Sequence, residues 1–135
     1  MQNNEFVYSR VLQFYETDAM GIIHHANYLL FMEEARLQFL RRLHGDCEGK
    51  DILKEINFPL VSCSVDYKKS LHFNETLNIK YRVSTEGARL VFDYEMSTKS
   101  FDKPVAFGKT VHVTYDMNRQ RATKLPDQVL KFLGQ

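Results

Sequence analysis

Cysteines are scarce in this sequence, long apolar runs are absent, and neither sign of charge dominates. Of its 135 residues only Cys47 and Cys63 are cysteines, and they form neither a CxxC pair nor a metal-binding pattern. We therefore predict no metal site and a reducing, cytoplasmic location, although the spacing does not decide whether the two cysteines pair. No apolar run approaches the roughly 20 residues that span a bilayer, and the opening residues, MQNNE, lack the features of a secretory signal.

The charge balance argues against two kinds of partner. Lys and Arg total 18 and Asp and Glu total 17, for a net charge of +1, whereas proteins that bind nucleic acid or membrane surfaces usually carry a basic excess. We expect no nucleic-acid binding and no membrane insertion. The length suits one compact domain, and because no repeat or linker interrupts the chain, we predict a single domain over residues 1–135.

A long helix is the clearest element of the pattern. The apolar side chains of Tyr28, Met32, Ala35, Phe39 and Leu43 fall on one face of a helix that runs from Asn27 to His44. Its first turns are apolar nearly all round, which is typical of a helix surrounded by protein. We assign Asn27 as its N-cap, and the following Gly45 as its stop.

Strands dominate the rest of the chain. Their β-branched and aromatic residues predict five strands, over residues 5–15, 58–69, 75–85, 89–101 and 105–117. Residues 48–56 predict a short irregular helix and Pro126 the start of a C-terminal helix. This order predicts an α+β fold in which an antiparallel sheet curls around the long helix. Small residues at positions 106, 108 and 110 would let the helix approach closely.

The segment with chemical potential lies just before the long helix. Asp18 precedes Gly21, and His24 and His25 lead into the helix, whose first N–H groups lack acceptors within the helix. These groups carry partial positive charge and stabilise a developing anion. Asp18 and the helix start could therefore lie on opposite sides of a reacting carbonyl group.

This segment carries a family motif. An Asp is followed three residues later by a Gly, four residues after that by a His, and then by Asn-Tyr-Leu opening a helix that contains Glu-Ala-Arg. The matching positions are Asp18, Gly21, His25, Asn27, Tyr28, Leu29, Glu34, Ala35 and Arg36. In this motif the chain resembles the 4-hydroxybenzoyl-CoA thioesterase family, and within it the short-chain and Tol–Pal-associated branch. The chain departs from many relatives at His24, Ser70 and Asn74, where they have Tyr, Pro and Gly.

The resemblance implies a fold, an activity and an assembly. It implies a hotdog fold, dimers that join sheets edge to edge and sometimes form tetramers, and hydrolysis of acyl-CoA to free acid and CoA without a cofactor. Asp18 would be the nucleophile or the general base. The backbone N–H of His25 would polarise the thioester carbonyl, its side chain would orient substrate or Asp18, and Gly21 would permit the tight backbone path.

Other residues remain candidates for substrate binding or for a different catalytic role. His24, Asn27 and Tyr28 flank His25 in the motif, and Lys68, Lys69 and Arg89 could contact the phosphates of CoA. Glu33 or Glu34 on the helix could replace Asp18 as the catalytic carboxylate. We interpret His44, His72 and His112 as structural or surface residues. Two alternative functions stay open, namely an acyl-carrier-protein thioesterase and a non-catalytic acyl-CoA-binding protein.

Overall fold

The computed structural model describes residues 4–45 and 58–135. The predicted helix over residues 48–56 lies outside these ranges. Within them, no helix is both long enough and apolar enough to cross a membrane. The elements in chain order are β1 (Glu5–Val11), a 3₁₀ turn (Phe14–Glu16), α1 (Asn27–His44), β2 (Leu60–Tyr67), β3 (Thr76–Glu86), β4 (Arg89–Ser97), β5 (Ala106–His112), β6 (Thr114–Asp116), β7 (Arg121–Thr123) and α2 (Asp127–Phe132).

One antiparallel sheet forms the main layer, and α1 packs on one of its faces. The strand order is β1-β3-β4-β5-β2, so β1 and β2 are the two edges. Inward-facing residues of β3 and β4, such as Leu77, Ile79 and Phe92, form a continuous core with the buried side of α1. This arrangement confirms the predicted α+β hotdog fold of a long helix against five strands.

The helix has the predicted bounds and the predicted buried face. Tyr28, Met32, Ala35, Phe39 and Leu43 are all buried. Gly45 follows the helix with a φ of 78°, as expected for a glycine stop. The assignment of the N-cap was wrong: Ala26 holds this position, and Asn27 is the first helical residue. The amide of the Asn27 side chain instead donates to the carbonyl of Glu16 at 2.7 Å.

Several strand ends differ from the prediction. β1 ends at Val11 because the chain turns into the 3₁₀ segment. The predicted fifth strand breaks at Val113, whose N–H donates to the carbonyl of Pro59. Beyond this point Thr114 pairs with Thr123 in a separate hairpin of β6 and β7. Sequence alternation cannot reveal this break, because the residues on both sides of it are strand formers.

A glycine in β5 sets the distance between helix and sheet. A Cβ at Gly108 would lie 2.5 Å from the sulfur of Met32, well inside van der Waals contact, and Met32 is fully buried. The prediction that small residues in this strand admit the helix is therefore confirmed at position 108.

The edge strand β2 is covered by little of the described chain. All of its residues are exposed except Val65, which is half-buried. Leu60 and Val61 are 48% and 50% exposed, although both are large and apolar. On α1, Leu29 and Leu30 are similarly exposed at 43% and 51%. The predicted all-round burial of the first helical turns is thus incomplete within a single chain.

A polar network runs through the core behind α1. The Arg36 guanidinium donates to the Tyr94 hydroxyl at 3.3 Å, and this hydroxyl shares a 2.8 Å hydrogen bond with the hydroxyl of Thr110. The ring of His112 lies 3.0 Å from the same Thr110 oxygen and 3.1 Å from the carbonyl of Phe58. Burial, and secondarily the positive charge of Arg36, lower the pKa of His112 to about 4. His112 is thus a buried, neutral, structural histidine at neutral pH.

Candidate active site

A cavity of about 340 Å³ opens where the loop before α1 meets the end of β2. One side of the cavity contains Asp18 and His25, and the other side is formed by residues some forty positions later in the chain. Among the described residues, the lining is Asp18, Ile22, Ile23, His25, Tyr28, Tyr67, Lys68, Lys69 and Ser70. Five of the predicted site residues therefore surround one space.

The loop that carries Asp18 is held by its own carboxylate. Asp18 Oδ1 accepts hydrogen bonds from the N–H groups of Met20 at 2.8 Å and Ile22 at 3.3 Å. Gly21 completes the turn with a φ of 76°, a conformation that favours glycine, and its N–H donates to the Asp18 carbonyl. Within the described residues Asp18 Oδ2 has no hydrogen-bond partner. One carboxylate oxygen is fixed and the other is available to a ligand.

Glu16 holds this loop in place through an ion pair and several hydrogen bonds. It is a buried carboxylate that pairs with the Arg10 guanidinium at 2.8 Å and accepts from the N–H of Gln13. Its backbone carbonyl accepts from the N–H of His24 at 2.9 Å and from the side chain of Asn27. Asn27 therefore serves to hold the loop. Sequence reasoning missed Glu16, because nothing in the local pattern shows that Arg10 of the first strand reaches it.

The backbone amides entering α1 are almost all satisfied. Over residues 22–29 each N–H donates to a neighbouring acceptor except that of His25. The N–H of Asn27 reaches the His24 carbonyl at 3.0 Å, and that of Tyr28 reaches the His25 carbonyl at 3.3 Å. Across the two described ranges, no acceptor is bonded to the His25 N–H. Within the part of the chain that the structure describes, the His25 amide is therefore the one left without an acceptor at the helix start, and His25 lines the cavity with Asp18.

The two histidine side chains stack on each other. Their ring centroids are 4.4 Å apart with planes inclined by 25°. His24 Nδ1 accepts from the N–H of Ala26 at 3.1 Å, so this nitrogen carries a lone pair and not a proton. His24 thus caps the entry to the helix and supports the ring of His25 from outside the cavity lining. Its predicted contact with substrate stays a prediction.

Two tyrosines form an aromatic wall beside His25. The rings of Tyr28 and Tyr67 meet edge to face with centroids 4.8 Å apart, and the Tyr67 hydroxyl donates to the His25 carbonyl at 2.9 Å. Burial raises the pKa of Tyr28 to about 12 and also raises that of Tyr67, so both hydroxyls keep their protons at neutral pH. Tyr28 was a predicted site residue, whereas Tyr67 was not.

The predicted phosphate contacts divide into two groups. Lys68 and Lys69 line the cavity. The backbone N–H of each donates to the carbonyl of Val105. The Lys69 ammonium lies 5.8 Å from the centre of the Phe101 ring. Arg89 instead starts β4, opposite Glu86 in the β3–β4 hairpin, and does not line this cavity. Its role as a phosphate contact stays a prediction.

The helix carboxylates occupy a different environment. Glu34 accepts a hydrogen bond from the Tyr8 hydroxyl at 2.7 Å and pairs with Arg10 at 3.1 Å. Neither Glu33 nor Glu34 lines the cavity that holds Asp18. Of these three carboxylates, Asp18 is therefore the one that lines the cavity.

Comparisons with known proteins agree with this architecture. A protein of Aquifex aeolicus, named in general terms as an esterase, is 33% identical to this chain over 128 residues. The match covers 95% of this chain and 97% of that protein. Acyl-CoA thioesterase YbgC of Haemophilus influenzae is 25% identical over 130 residues, 96% of this chain and 94% of its own. A solved 1,4-dihydroxy-2-naphthoyl-CoA thioesterase of Synechocystis has the same fold, with a TM-score of 0.85, 23% identity and 96% of both chains covered.

A family model gives the assignment directly. The model of the Thioesterase-like superfamily matches residues 12–133, a span that includes the Asp18 loop, α1 and every strand after it. The match confirms the family resemblance that the motif indicated, while membership of the Tol–Pal-associated branch stays a prediction. This chain belongs to the Thioesterase-like superfamily.

Proposed function

We propose that this protein hydrolyses acyl-CoA thioesters to the free acid and CoA, with Asp18 as the catalytic carboxylate. One observation carries the proposal: the N–H of His25, which has no acceptor among the described residues, and the carboxylate of Asp18 belong to residues that line the same cavity. An acyl transfer needs a donor for the oxygen that becomes negative and a base or nucleophile at the carbonyl carbon. The cavity offers both, and relatives named as thioesterases support the assignment.

The reaction follows from these two groups. The thioester carbonyl oxygen accepts from the His25 N–H while Asp18 takes a proton from water, whose oxygen bonds to the carbonyl carbon. The C–S bond then breaks, the proton returns to the CoA thiolate, and the product acid ionises into solvent. If Asp18 instead attacks the carbon itself, the thiolate leaves first and water cleaves the resulting anhydride. Both routes use the same carboxylate and the same amide donor.

The remaining lining suits the rest of the substrate. Lys68 and Lys69 provide positive charge at the cavity, which attracts an anionic carrier. Tyr28 and Tyr67 provide an aromatic surface beside the reacting group. A coenzyme A ester also fits the predicted cytoplasmic location. In this proposal coenzyme A is part of the substrate, and no separate cofactor takes part.

A panel of thioesters tests the proposal. We expect the purified protein to release free thiol from at least one of a series of aliphatic and aromatic acyl-CoAs, measured with a thiol-reactive dye. The same acyl groups on acyl-carrier protein form the second arm, because the reaction is identical and only the carrier differs. A marked preference for thioesters of acyl-carrier protein would identify that protein, and not CoA, as the carrier of the acyl group. Tight binding of CoA esters without turnover would refute it in favour of a binding protein.

We further propose that two chains pair through β2. An edge strand presents unpaired N–H and C=O groups, and β2 in addition exposes Leu60, Val61 and nearly every other side chain on both of its faces. The other edge strand, β1, buries Phe6 and partly buries alternate residues. A second copy of β2 would satisfy the open edge and cover the apolar residues. Assembly of two such dimers into a tetramer is consistent with this pairing.

Light scattering on variants of β1 and β2 tests which edge strand forms the dimer. We expect wild type to have twice the 15.9 kDa chain mass at micromolar concentration, or four times that mass if two dimers assemble. Val61→Lys should raise the dimer dissociation constant about tenfold or more, because a charge replaces apolar surface that the second chain would cover. Val7→Lys makes the same change on β1, where Val7 is 53% exposed, and should leave the dimer intact. A monomeric wild type, or dissociation by Val7→Lys alone, would contradict pairing through β2.

A further inference from the structure

We propose that Tyr67 is a positioning residue that holds the peptide backbone of His25 and thereby orients the amide that receives the oxyanion. The inference rests on the proposed function, since it concerns how that donor is held. Tyr67 lies at the end of β2, over forty residues from His25 in the chain. Its role is therefore a property of the folded site.

The first step concerns the peptide unit that contains the free amide. This unit joins His24 to His25, and its C=O and N–H point in opposite directions. The His24 carbonyl accepts from the N–H of Asn27 at 3.0 Å, so it is directed toward the helix. The His25 N–H must then point away from the helix, where it has no bonded acceptor among the described residues.

The second step concerns the next peptide unit, which carries the His25 carbonyl. This oxygen accepts from the N–H of Tyr28 at 3.3 Å, a long hydrogen bond, and from the Tyr67 hydroxyl at 2.9 Å. The tyrosine supplies the shorter contact. With the carbonyls on both sides of its Cα held, the backbone of His25 cannot rotate freely.

The third step is that Tyr67 is itself held in place. Its backbone pairs with Ala106 of β5, and its ring packs edge to face against Tyr28, which is only 2% exposed. A tyrosyl hydroxyl is protonated at neutral pH, and burial raises the pKa of Tyr67 further. Tyr67 thus connects the oxyanion donor to the sheet through a rigid aromatic side chain.

Replacing Tyr67 with Phe isolates the hydroxyl, because the ring and its packing remain. We expect kcat to fall about tenfold, the effect of one lost hydrogen bond of ordinary strength. KM should stay within about twofold, since the oxyanion develops only in the transition state. Tyr81→Phe is the matched control: it removes a hydroxyl that donates to Gln38 Oε1 at 2.7 Å, away from the cavity, and should leave kcat unchanged.

A spectroscopic measurement separates positioning from general loss of structure. In an NMR experiment that correlates each carbonyl carbon with the following amide, the His25 carbonyl signal should shift in Tyr67→Phe and stay in place in Tyr81→Phe. The two variants should otherwise have similar melting temperatures, because each loses one tyrosyl hydrogen bond. A kcat loss together with this carbonyl shift supports the proposal.

Other outcomes would overturn it. A raised KM with unchanged kcat would make Tyr67 a substrate contact, and an unchanged kcat, or an unshifted His25 carbonyl, would remove its assigned role. A fall in kcat equal to that of Tyr81→Phe would reflect stability alone. If wild type hydrolysed no thioester at all, the proposed function itself would fail, an outcome that the wild-type panel reveals before any variant is compared.

Discussion

Replacing Asp18 with Asn is expected to lower kcat by about 10²–10⁴-fold, the usual contribution of a positioned general base. Asn keeps an oxygen that can still accept from the N–H groups of Met20 and Ile22, so the loop should keep its shape. It cannot take a proton from water and is a poor nucleophile toward a thioester. The loss should appear in kcat, while KM changes little, in steady-state measurements on the best acyl-CoA of the panel.

The chain offers a close control for this variant. Asp116 makes the same kind of turn, since its Oδ1 accepts from the N–H groups of Asn118 at 2.9 Å and Arg119 at 3.2 Å, but it does not line the cavity. Asp116→Asn should therefore retain full activity. If Asp18→Asn kept more than half of the wild-type kcat, Asp18 would not be the catalytic carboxylate, and Glu33→Gln and Glu34→Gln would become the variants to measure.

Acid should destabilise this protein through His112 before most carboxylates are protonated. The folded-state pKa of His112 is lowered to about 4, whereas an unfolded histidine titrates near 6.5, so between these values the unfolded chain binds the extra proton. The contribution of His112 to the free energy of unfolding is fully present above about pH 6.5. It decreases as the pH falls toward 4 and does not change further below pH 4. The whole change amounts to about 3 kcal/mol of unfolding free energy at most. Denaturant unfolding at a series of pH values measures it.

Two variants identify the group responsible. His112→Gln is expected to be less stable at pH 7, because it disturbs the bonds to Thr110 and Phe58, but its stability should depend much less on pH between 6.5 and 4.5. His72→Gln changes an exposed histidine and should retain the wild-type slope. Equal slopes in wild type and His112→Gln would show that this buried ring does not govern acid stability.

Part of the site could be predicted from the sequence, because its central residues lie close together in the chain. Asp18, Gly21 and His25 lie within one loop, and the helix that follows supplies amide donors wherever it begins. The contribution of the end of β2 was harder to predict: Lys68 and Lys69 were predicted as phosphate contacts, and Tyr67 was not predicted as a site residue. Nothing in the spacing of residues 18 and 67 indicates that they share a cavity, because that neighbourhood depends on how β2 pairs with β5.

Buried polar residues were the least predictable group. Glu16 and His112 resemble ordinary surface residues in sequence, and each is buried with at least one polar partner from another segment of the chain. Arg10 crosses from β1 to pair with Glu16, and Thr110 and Phe58 supply hydrogen bonds to His112. Such partners differ from case to case and leave no periodic pattern.

The sequence alone determined the helix from Asn27 to His44, its buried face and the order of helices and strands along the chain, because apolar periodicity reflects which side of an element meets the core. It also determined the Asp18–His25 loop, whose turn and helix entry are set by neighbouring residues. Only the tertiary structure decided that the His25 amide has no acceptor among the described residues while the neighbouring amides are satisfied, and that Tyr67 reaches the His25 carbonyl. Those features depend on contacts between distant segments, which local spacing cannot specify.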